Sequence, residues 1–375
     1  MDVLAGVVES ERAKDTTECA VTASRASVDI RGARRSLNSE GLERAVAWSR
    51  DWSAEFPFFL ANHLPMVLVA LHRMGATDRR LEEYCHIYRE ANGLVPAPEP
   101  VGDVTRDNWT ASLGQREREG DYRRFFAGEV ERMGGLGAAT AYLPRLFEGF
   151  AASALHAFMR MAYATMTDSD AETAVALGYW AATFLSLGPT RGGAPSTDDP
   201  AGVLAFMYGP PTFRSVETER DLLWHFMRAV AEKPEFSPVV DMLAIGPETH
   251  DRVARVSLAL YAATGDFCAL HAVTGTHWLR LLAPRTPDAA TPLRHFWQAI
   301  ASLVPKIGFP DLPSGDQLSA WRNMPLPDWP DIFAEAVTRD DEHDLSLTFS
   351  AGEEFKLYGD RLYQYAAAKR LGFIP

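Results

Sequence analysis

The sequence predicts an all-α protein, and three observations indicate that class. From Leu37 almost to the C-terminus, aromatic and aliphatic residues recur at spacings of three and four, which is typical of helices with one apolar face. Segments with the strict alternation of a half-buried strand are few. The chain has 375 residues, 47% of them apolar, enough to bury a substantial core. We therefore expect a single large multi-helix domain over residues 37–375.

The first 36 residues differ in composition from the rest of the chain. They are rich in Ser, Thr, Ala, Glu and Arg, and they contain too few large apolar side chains to offset the entropy lost on ordering. We expect residues 1–36 to form a flexible N-terminal arm. This stretch lacks the apolar middle of a signal peptide, and no segment approaches the roughly 18 to 20 apolar residues of a membrane span.

Runs of proline and glycine divide the predicted helices. Such residues end helices or form turns, and they occur at residues 96–100, 187–200, 209–211, 246–247 and 305–330. The longest break, residues 189–202, has the composition of a linker between two domains. Because candidate site residues lie on both sides of it, we interpret it as a surface loop of one cooperative domain.

Charge and cysteine content exclude several classes of protein. Fifty acidic and 37 basic side chains give a net charge of −13, which repels nucleic acids and anionic membrane surfaces. Cys19, Cys85 and Cys268 are far apart and form no C-x-x-C pair, so neither a disulfide framework nor a thiolate zinc site is indicated. We expect a cytoplasmic protein without a nucleic-acid or membrane partner, and the sequence leaves its oligomeric state open.

Two further motifs do not indicate a site. The glycine-rich stretch at residues 134–139 has the wrong glycine spacing for dinucleotide binding, and no apolar strand precedes it. The acidic run Asp340, Asp341 and Glu342 is interpreted as an exposed helix start, where the helix dipole favours negative charge. The chain also has no phosphate-binding loop and no nucleophile elbow.

Four histidines are the strongest indication of chemistry. His63, His156, His271 and His343 lie far apart in the chain, each inside an apolar stretch with helical spacing. Imidazole is the commonest neutral metal ligand, and an unpaired ring is costly to bury in a helical core. A single such histidine is more often a hydrogen-bonded core residue. The set of four predicts a metal site between helices.

Each histidine segment adds its own detail. His63 stands before Pro65, which suits the first turn of a helix. His277 follows His271 by six residues, a net rotation of about 240°, so a regular helix would not direct both rings to one ion. Gly275 can distort that helix, which makes His277 a further candidate ligand. Ser346 shares a helix face with His343 and can orient a bound water.

The donor set restricts the metal only in part. Four neutral nitrogen ligands without thiolates suit iron, copper, nickel or zinc, and a site with open positions suits oxygen activation. Composition alone does not select among these metals.

In order along the chain, these segments resemble the questin oxidase-like family. The resemblance spans roughly residues 40–372 and rests on residues 62–66, 70–76, 149–164, 179–181, 270–274, 279–280, 341–343, 358–363 and 366–367.

The resemblance implies a largely helical oxidoreductase of secondary metabolism that acts on anthraquinone-type polyketides by ring opening or Baeyer-Villiger-type oxygen insertion. It implies Fe(II) in a non-haem centre, with His63, His156, His271 and His343 as its ligands by position. NADPH is expected only as an external reductant, because the chain has no binding motif for it. The chain departs from the family pattern at Ser346, where the family has a lysine that can be modified to a carboxylate-like ligand.

Our leading hypothesis is therefore a metal-dependent oxygenase that uses O2 on an aromatic small molecule. Arg160 or Tyr163 would hydrogen-bond a substrate oxygen, and Ser346 would hold a water. Candidates for the cavity wall are Met66, Phe158, Met159, Trp278 and Phe349. Two alternatives stay open: a non-oxidative metal-dependent hydrolase or cyclase acting on a related substrate, and a non-enzymatic helical binding protein whose histidines pair with carbonyls in the core.

Overall fold

Helices make up most of the regular structure between residues 38 and 375, the part of the chain that this computed structural model describes. The predicted all-α class is confirmed, whereas the predicted arm at residues 1–36 lies outside the described residues. The helices are α1 (Glu40–Ser49), α2 (Leu64–Arg73), α3 (Asp78–Asn92), α4 (Glu119–Leu146), α5 (His156–Thr167), α6 (Asp170–Ala182), α7 (Pro200–Phe206), α8 (Leu223–Ala231), α9 (Val239–Met242), α10 (Thr249–Thr264), α11 (Phe267–Leu282), α12 (Ala290–Ala301), α13 (Val304–Ile307), α14 (Gly315–Arg322), α15 (Trp329–Val337), α16 (Glu342–Tyr358) and α17 (Arg361–Arg370).

A short hairpin precedes α2. Strands β1 (Glu55–Phe56) and β2 (Leu60–Ala61) pair antiparallel, with Glu55 opposite Ala61 and Phe56 opposite Leu60. The turn between them contains Phe58 and Phe59, whose φ angles are 73° and 63°. Among the described residues this is the one sheet.

The buried apolar side chains form one continuous cluster that extends from α1 to α17. The proline-rich stretch at residues 189–196 is exposed on the outside, as expected of a surface loop. Within the described residues, no helix combines the length and the apolar character needed to cross a lipid bilayer.

Helices α2, α5, α11 and α16 pack against one another in a closed ring, each contacting the next. Two of these helices begin with an aspartate cap: Asp266 accepts hydrogen bonds from the first turn of α11, and Asp341 does the same for α16. Pro65 lies in the first turn of α2, where its missing N–H costs nothing. The N-terminal ends of these four helices carry the four histidines of interest.

The glycine-rich stretch lies inside α4, where Gly134 forms a kink with φ 73°. A Cβ atom on Gly135 would lie 2.6 Å from Oδ1 of Asp170, so glycine here allows α4 to approach the start of α6. This context is helix packing, not the strand-to-helix turn of a dinucleotide site.

A buried carboxylate on α4 makes stability depend on pH. Glu129 accepts hydrogen bonds from Arg132, Arg106 and Tyr142. These bonds, the one from Arg132 first, lower the pKa of Glu129 to about 2 from an ordinary value of 4.5. Because the folded pKa is the lower one, the stabilisation is complete above pH 4.5 and is lost as the pH falls towards 2.

We expect Glu129→Gln to lower the free energy of unfolding by about 2 kcal/mol at pH 7 and by much less at pH 3. Urea denaturation of both proteins at pH 7, 5 and 3 measures the difference. The control is Glu131→Gln, which changes an exposed residue of the same helix. A difference that does not change with pH would contradict the role given to Glu129.

Candidate metal centre

The structure brings the four histidines together at one end of the helix ring. His63 is the N-cap of α2, His156 is the first residue of α5, His343 is the second residue of α16, and His271 is the fifth residue of α11. The ring of His63 lies 4.4 Å from that of His156 and 5.1 Å from that of His343, measured between centroids. The His271 ring lies 5.4 Å from His156 and 6.1 Å from His343.

Three of the four form the tightest group. Ligand nitrogens of His63, His156 and His343 all lie within 4.8 Å of one another, close enough to share one ion. His271 is next to this group and is not part of it. The centre therefore has three close donors and a fourth ring at its edge.

Hydrogen bonds to the main chain fix the tautomer of three rings. Nδ1 of His63 lies 3.0 Å from the carbonyl oxygen of Ala61, and Nδ1 of His271 lies 3.0 Å from that of Phe267. Nδ1 of His156 lies 2.6 Å from the carbonyl oxygen of Ser153. A carbonyl oxygen can only accept, so each Nδ1 carries the proton and each Nε2 presents a lone pair. Metal-ligating histidines are commonly oriented in this way.

The remaining nitrogens provide a test of whether the residues fit a metal. Nε2 of His63 and Nε2 of His343 are buried, and neither has a hydrogen-bond partner among the described residues. Leaving a buried polar atom unsatisfied costs about 1 to 3 kcal/mol. An ion bound by these nitrogens would remove that cost, so the residues fit a metal held by neutral imidazoles.

Burial keeps the rings neutral. It lowers the pKa of His271 to about 4 and that of His343 to about 2, and in both cases the neighbouring histidines lower it further. Burial also lowers the pKa of His63 and of His156 from the ordinary 6.5. Neutral rings are required of nitrogen ligands, since a protonated imidazole has no lone pair to donate.

A strained turn positions His156. Ser153, Ala154 and Leu155 have φ angles of 46°, 55° and 75°, so three successive residues other than glycine are in the left-handed region. Each such residue costs on the order of 1 kcal/mol. The Ser153 hydroxyl donates to Oε1 of Glu55 at 2.5 Å, which anchors the turn to β1. Strain of this kind clusters at functional sites.

The sequence interpretation of Glu342 was incomplete. Asp341 caps α16, as expected of a helix start. Oε1 of Glu342, however, lies 3.8 Å from Nδ1 of His63 and 4.0 Å from Nδ1 of His343. Glu342 therefore supplies a negative charge beside the centre, which Ser346 cannot. Its position directly before His343 was the available signal.

Two other residues of the site were also missed. Tyr88 on α3 accepts a hydrogen bond of 2.9 Å from the backbone N–H of His63. The Phe267 ring lies 5.1 Å from that of His271 and 4.7 Å from that of His343, although 46% of the residue is exposed. Phe267 thus separates the centre from solvent. Neither contact has a signal in the local sequence.

His277 is not brought to the centre. Helix α11 runs unbroken through Gly275, so the distortion that would have redirected His277 is not present. The space at Gly275 is filled by Phe296, whose ring would lie 2.4 Å from an added Cβ atom. Nδ1 of His277 instead lies 3.1 Å from Oγ of Ser350.

Tyr163 and Ser346 meet in a polar layer behind the histidines. The buried hydroxyl of Tyr163 faces Ser346, Ser350 and the indole of Trp278, and burial raises its pKa to about 12. Tyr163, Trp278 and Ser350 each follow a histidine of the centre by seven residues, about 10 Å along the helix. Helices α5, α11 and α16 therefore run in the same direction away from the centre. The polar atoms of Tyr163, Ser346 and Trp278 have no hydrogen-bond partner in the described part of the chain.

Arg160 faces a different neighbour. Its Nε donates to Oε1 of Glu172 on α6 at 2.7 Å, and both residues are buried. The two terminal nitrogens of the guanidinium have no hydrogen-bond partner among residues 38–375. The structure thus places Arg160 in an ion pair between α5 and α6, and not with the histidine rings.

The five candidates for a cavity wall are all buried. Phe158 packs edge-on against Phe150 and Trp278, within the aromatic core. Phe349 lies beside Tyr163 and His277. Their contact with a substrate stays a prediction.

The fold and the site define a helical protein whose neutral histidines converge at the start of four helices. In a comparison with protein families, the questin oxidase-like family matches residues 60–348, a stretch that contains all four histidines and Ser346. The chain therefore belongs to the questin oxidase-like family. Membership implies an oxidoreductase of secondary metabolism. A comparison with curated proteins found no match.

Proposed function

We propose that this protein is a metal-dependent oxygenase, with non-haem Fe(II) as the metal. Its substrates would be aromatic polyketides of the anthraquinone type, which it would convert by oxidative ring opening or Baeyer-Villiger-type oxygen insertion. One observation carries the proposal. Histidine rings from four helices converge, three of them have Nδ1–H bound to carbonyls, and two buried Nε2 atoms have no hydrogen-bond partner among residues 38–375.

The metal would be held by His63, His156 and His343, with His271 beside them. When bound, such an ion supplies redox chemistry with O2 at an open coordination position. The carbonyls of Ala61, Ser153 and Phe267 hold three of the rings in orientation, as hydrogen-bond acceptors behind metal-binding histidines commonly do. The carboxylate of Glu342, beside His63 and His343, would balance part of the positive charge of the ion.

Residues around the rings would exclude water and hold a proton. Phe267 covers His271 and His343 on the side towards solvent. The Tyr163 hydroxyl keeps its proton at neutral pH because its pKa is raised to about 12, so it can donate a hydrogen bond. Ser346 lies one turn beyond His343, within reach of a water between the two layers.

The geometry also bears on the non-enzymatic alternative. That alternative pairs the histidines with carbonyls, and three Nδ1 atoms are paired in this way. It gives no reason for the Nε2 atoms of His63 and His343, which are buried without a hydrogen-bond partner in the part of the chain that the structure describes. A metal centre accounts for these two Nε2 atoms as ligands, which favours the enzymatic proposal.

The experiment uses protein purified without a histidine tag, loaded with ferrous iron under anaerobic conditions and desalted. We expect elemental analysis to find near-stoichiometric iron, and oxygen consumption to rise when a hydroxyanthraquinone and NADPH are added. Turnover of the anthraquinone without oxygen would support the hydrolase or cyclase. A protein that retains no metal of any kind would overturn the proposal.

A further inference from the structure

An exposed aromatic edge borders the histidine centre. Phe58, Phe59 and Leu60 in the β1–β2 hairpin are 77%, 41% and 46% exposed, and Phe267 is 46% exposed. The hairpin leads directly into Ala61, whose carbonyl orients His63. Phe267 lies against His271 and His343. Large apolar side chains are therefore exposed where the chain reaches the centre, and exposed patches of this kind commonly bind a ligand.

The hairpin turn is held in an unfavourable backbone conformation. Both Phe58 and Phe59 have positive φ angles, 73° and 63°, which cost a residue other than glycine on the order of 1 kcal/mol each. Exposure of the rings to water adds a further cost. Neither cost is explained by packing of the core, since Phe58 is the most exposed of the large apolar residues described.

Arginines surround this aromatic edge. The Arg116 guanidinium lies 4.1 Å from the ring centroid of Trp224, and that of Arg220 lies 5.6 Å from the centroid of Phe59. Arg116 is paired with Glu55, whereas Arg220 is exposed and makes no ion pair with any carboxylate in the described part of the chain. An exposed arginine without an ion pair among the described residues, beside exposed aromatic rings, is complementary to an aromatic anion.

A chain of contacts joins this edge to the centre. Nε of Arg116 lies 2.7 Å from Oε2 of Glu55, and Oε1 of Glu55 accepts from the Ser153 hydroxyl. The carbonyl of Ser153 in turn orients His156. Polar contacts therefore run without a break from the aromatic edge to the histidine centre.

We propose that Phe58, Phe59, Trp224 and Arg220 form an entrance that selects planar aromatic anions, such as a ring system carrying a carboxylate or phenolate. The exposed Phe58 ring would stack on the planar face of the ligand, and Phe59 and Trp224, whose rings lie at 80° to each other, would contact its edges. Arg220 would pair with its negative group. That this ligand is a substrate rests on the proposed function. Binding at the entrance does not require the metal.

The test is calorimetric titration of metal-free protein with two matched probes, anthraquinone-2-carboxylate and its neutral primary amide. We expect the wild type to bind the anion about tenfold more tightly than the amide. Arg220→Gln should reduce this preference to within about twofold. Phe58→Ala should weaken binding of both probes about fivefold.

Two control variants change exposed residues of the same types elsewhere in the chain. Arg361→Gln removes another exposed arginine, on α17, and Phe373→Ala removes another exposed phenylalanine. Both should bind the probes as the wild type does. Melting temperatures of all variants establish that the fold is intact.

Equal binding of anion and amide by the wild type would contradict the proposed entrance. An unchanged preference for the anion in Arg220→Gln would contradict it as well. So would a wild type that binds neither probe but self-associates through Phe58, as measured by sedimentation. If Arg220→Gln loses the preference for the anion and the wild type retains no iron, the proposed entrance is supported and the proposed oxygenase function is rejected.

Discussion

Replacing His156 with alanine is expected to remove the bound metal and, with it, oxygen-dependent turnover. His156 is one of the three close donors, and its ring lies beside those of His63 and His271. Loss of a ligand should weaken metal affinity at least on the order of a hundredfold, because loss of a group that only hydrogen-bonds to a ligand already costs about 10-fold to 100-fold. Iron per chain after loading and desalting, and oxygen uptake with an anthraquinone, measure the two effects.

The matched control is His277→Ala. His277 is as deeply buried as His271 and lies on the same helix, but it hydrogen-bonds to Ser350 away from the centre. This variant should retain its iron. Circular dichroism establishes that both variants are folded. If His156→Ala keeps its iron, or if His277→Ala loses it, the ligand assignment is wrong.

Replacing Arg160 with methionine is expected to destabilise the protein by about 4 kcal/mol, since it leaves the carboxylate of Glu172 buried without its counter-charge. The pair is inaccessible to solvent, with side-chain exposures of 0% and 2%. Urea denaturation at neutral pH measures the change in the free energy of unfolding.

The double variant Arg160→Met with Glu172→Leu tests the cause. Removing both charges should recover most of the loss, because an apolar pair of similar volume is often as stable as a buried ion pair. A double variant as unstable as the single one would reject the electrostatic explanation. If Arg160→Met instead keeps its stability and loses turnover, Arg160 acts on the substrate, as the sequence suggested.

The helical class and the convergence of the histidines could be predicted from the sequence, because both follow from short-range spacing. A histidine on the apolar face of a helix points inwards. Few partners in a helical core can bind the ring nitrogens of four such residues. It is harder to predict which neighbouring helix a residue close to a histidine in sequence will face. Arg160 is four residues after His156, a rotation of about 40°, which is enough to direct it to α6.

Other parts of the site depend on tertiary structure and had no local signal. The left-handed turn at Ser153, Ala154 and Leu155 contains no glycine, the residue that usually marks such a conformation. The role of Glu342 depends on where α2 brings His63. Gly275 was interpreted as a helix distortion, whereas it makes room for Phe296.

The location of all four histidines at helix starts has a consequence for how such a protein can diversify. Carbonyls just before α2 and α5 hold the rings of His63 and His156, and the carbonyl of Phe267, the first residue of α11, holds that of His271. The helices behind form the shared core. Insertions or substitutions at the exposed residues that lead into α2, α11 and α16 would reshape the mouth of the site, whereas residues 150–155 before α5 are buried and belong to the packing that folds the chain. Natural or laboratory evolution of new substrate preference should therefore accumulate changes around residues 57–60, 265–267 and 338–341.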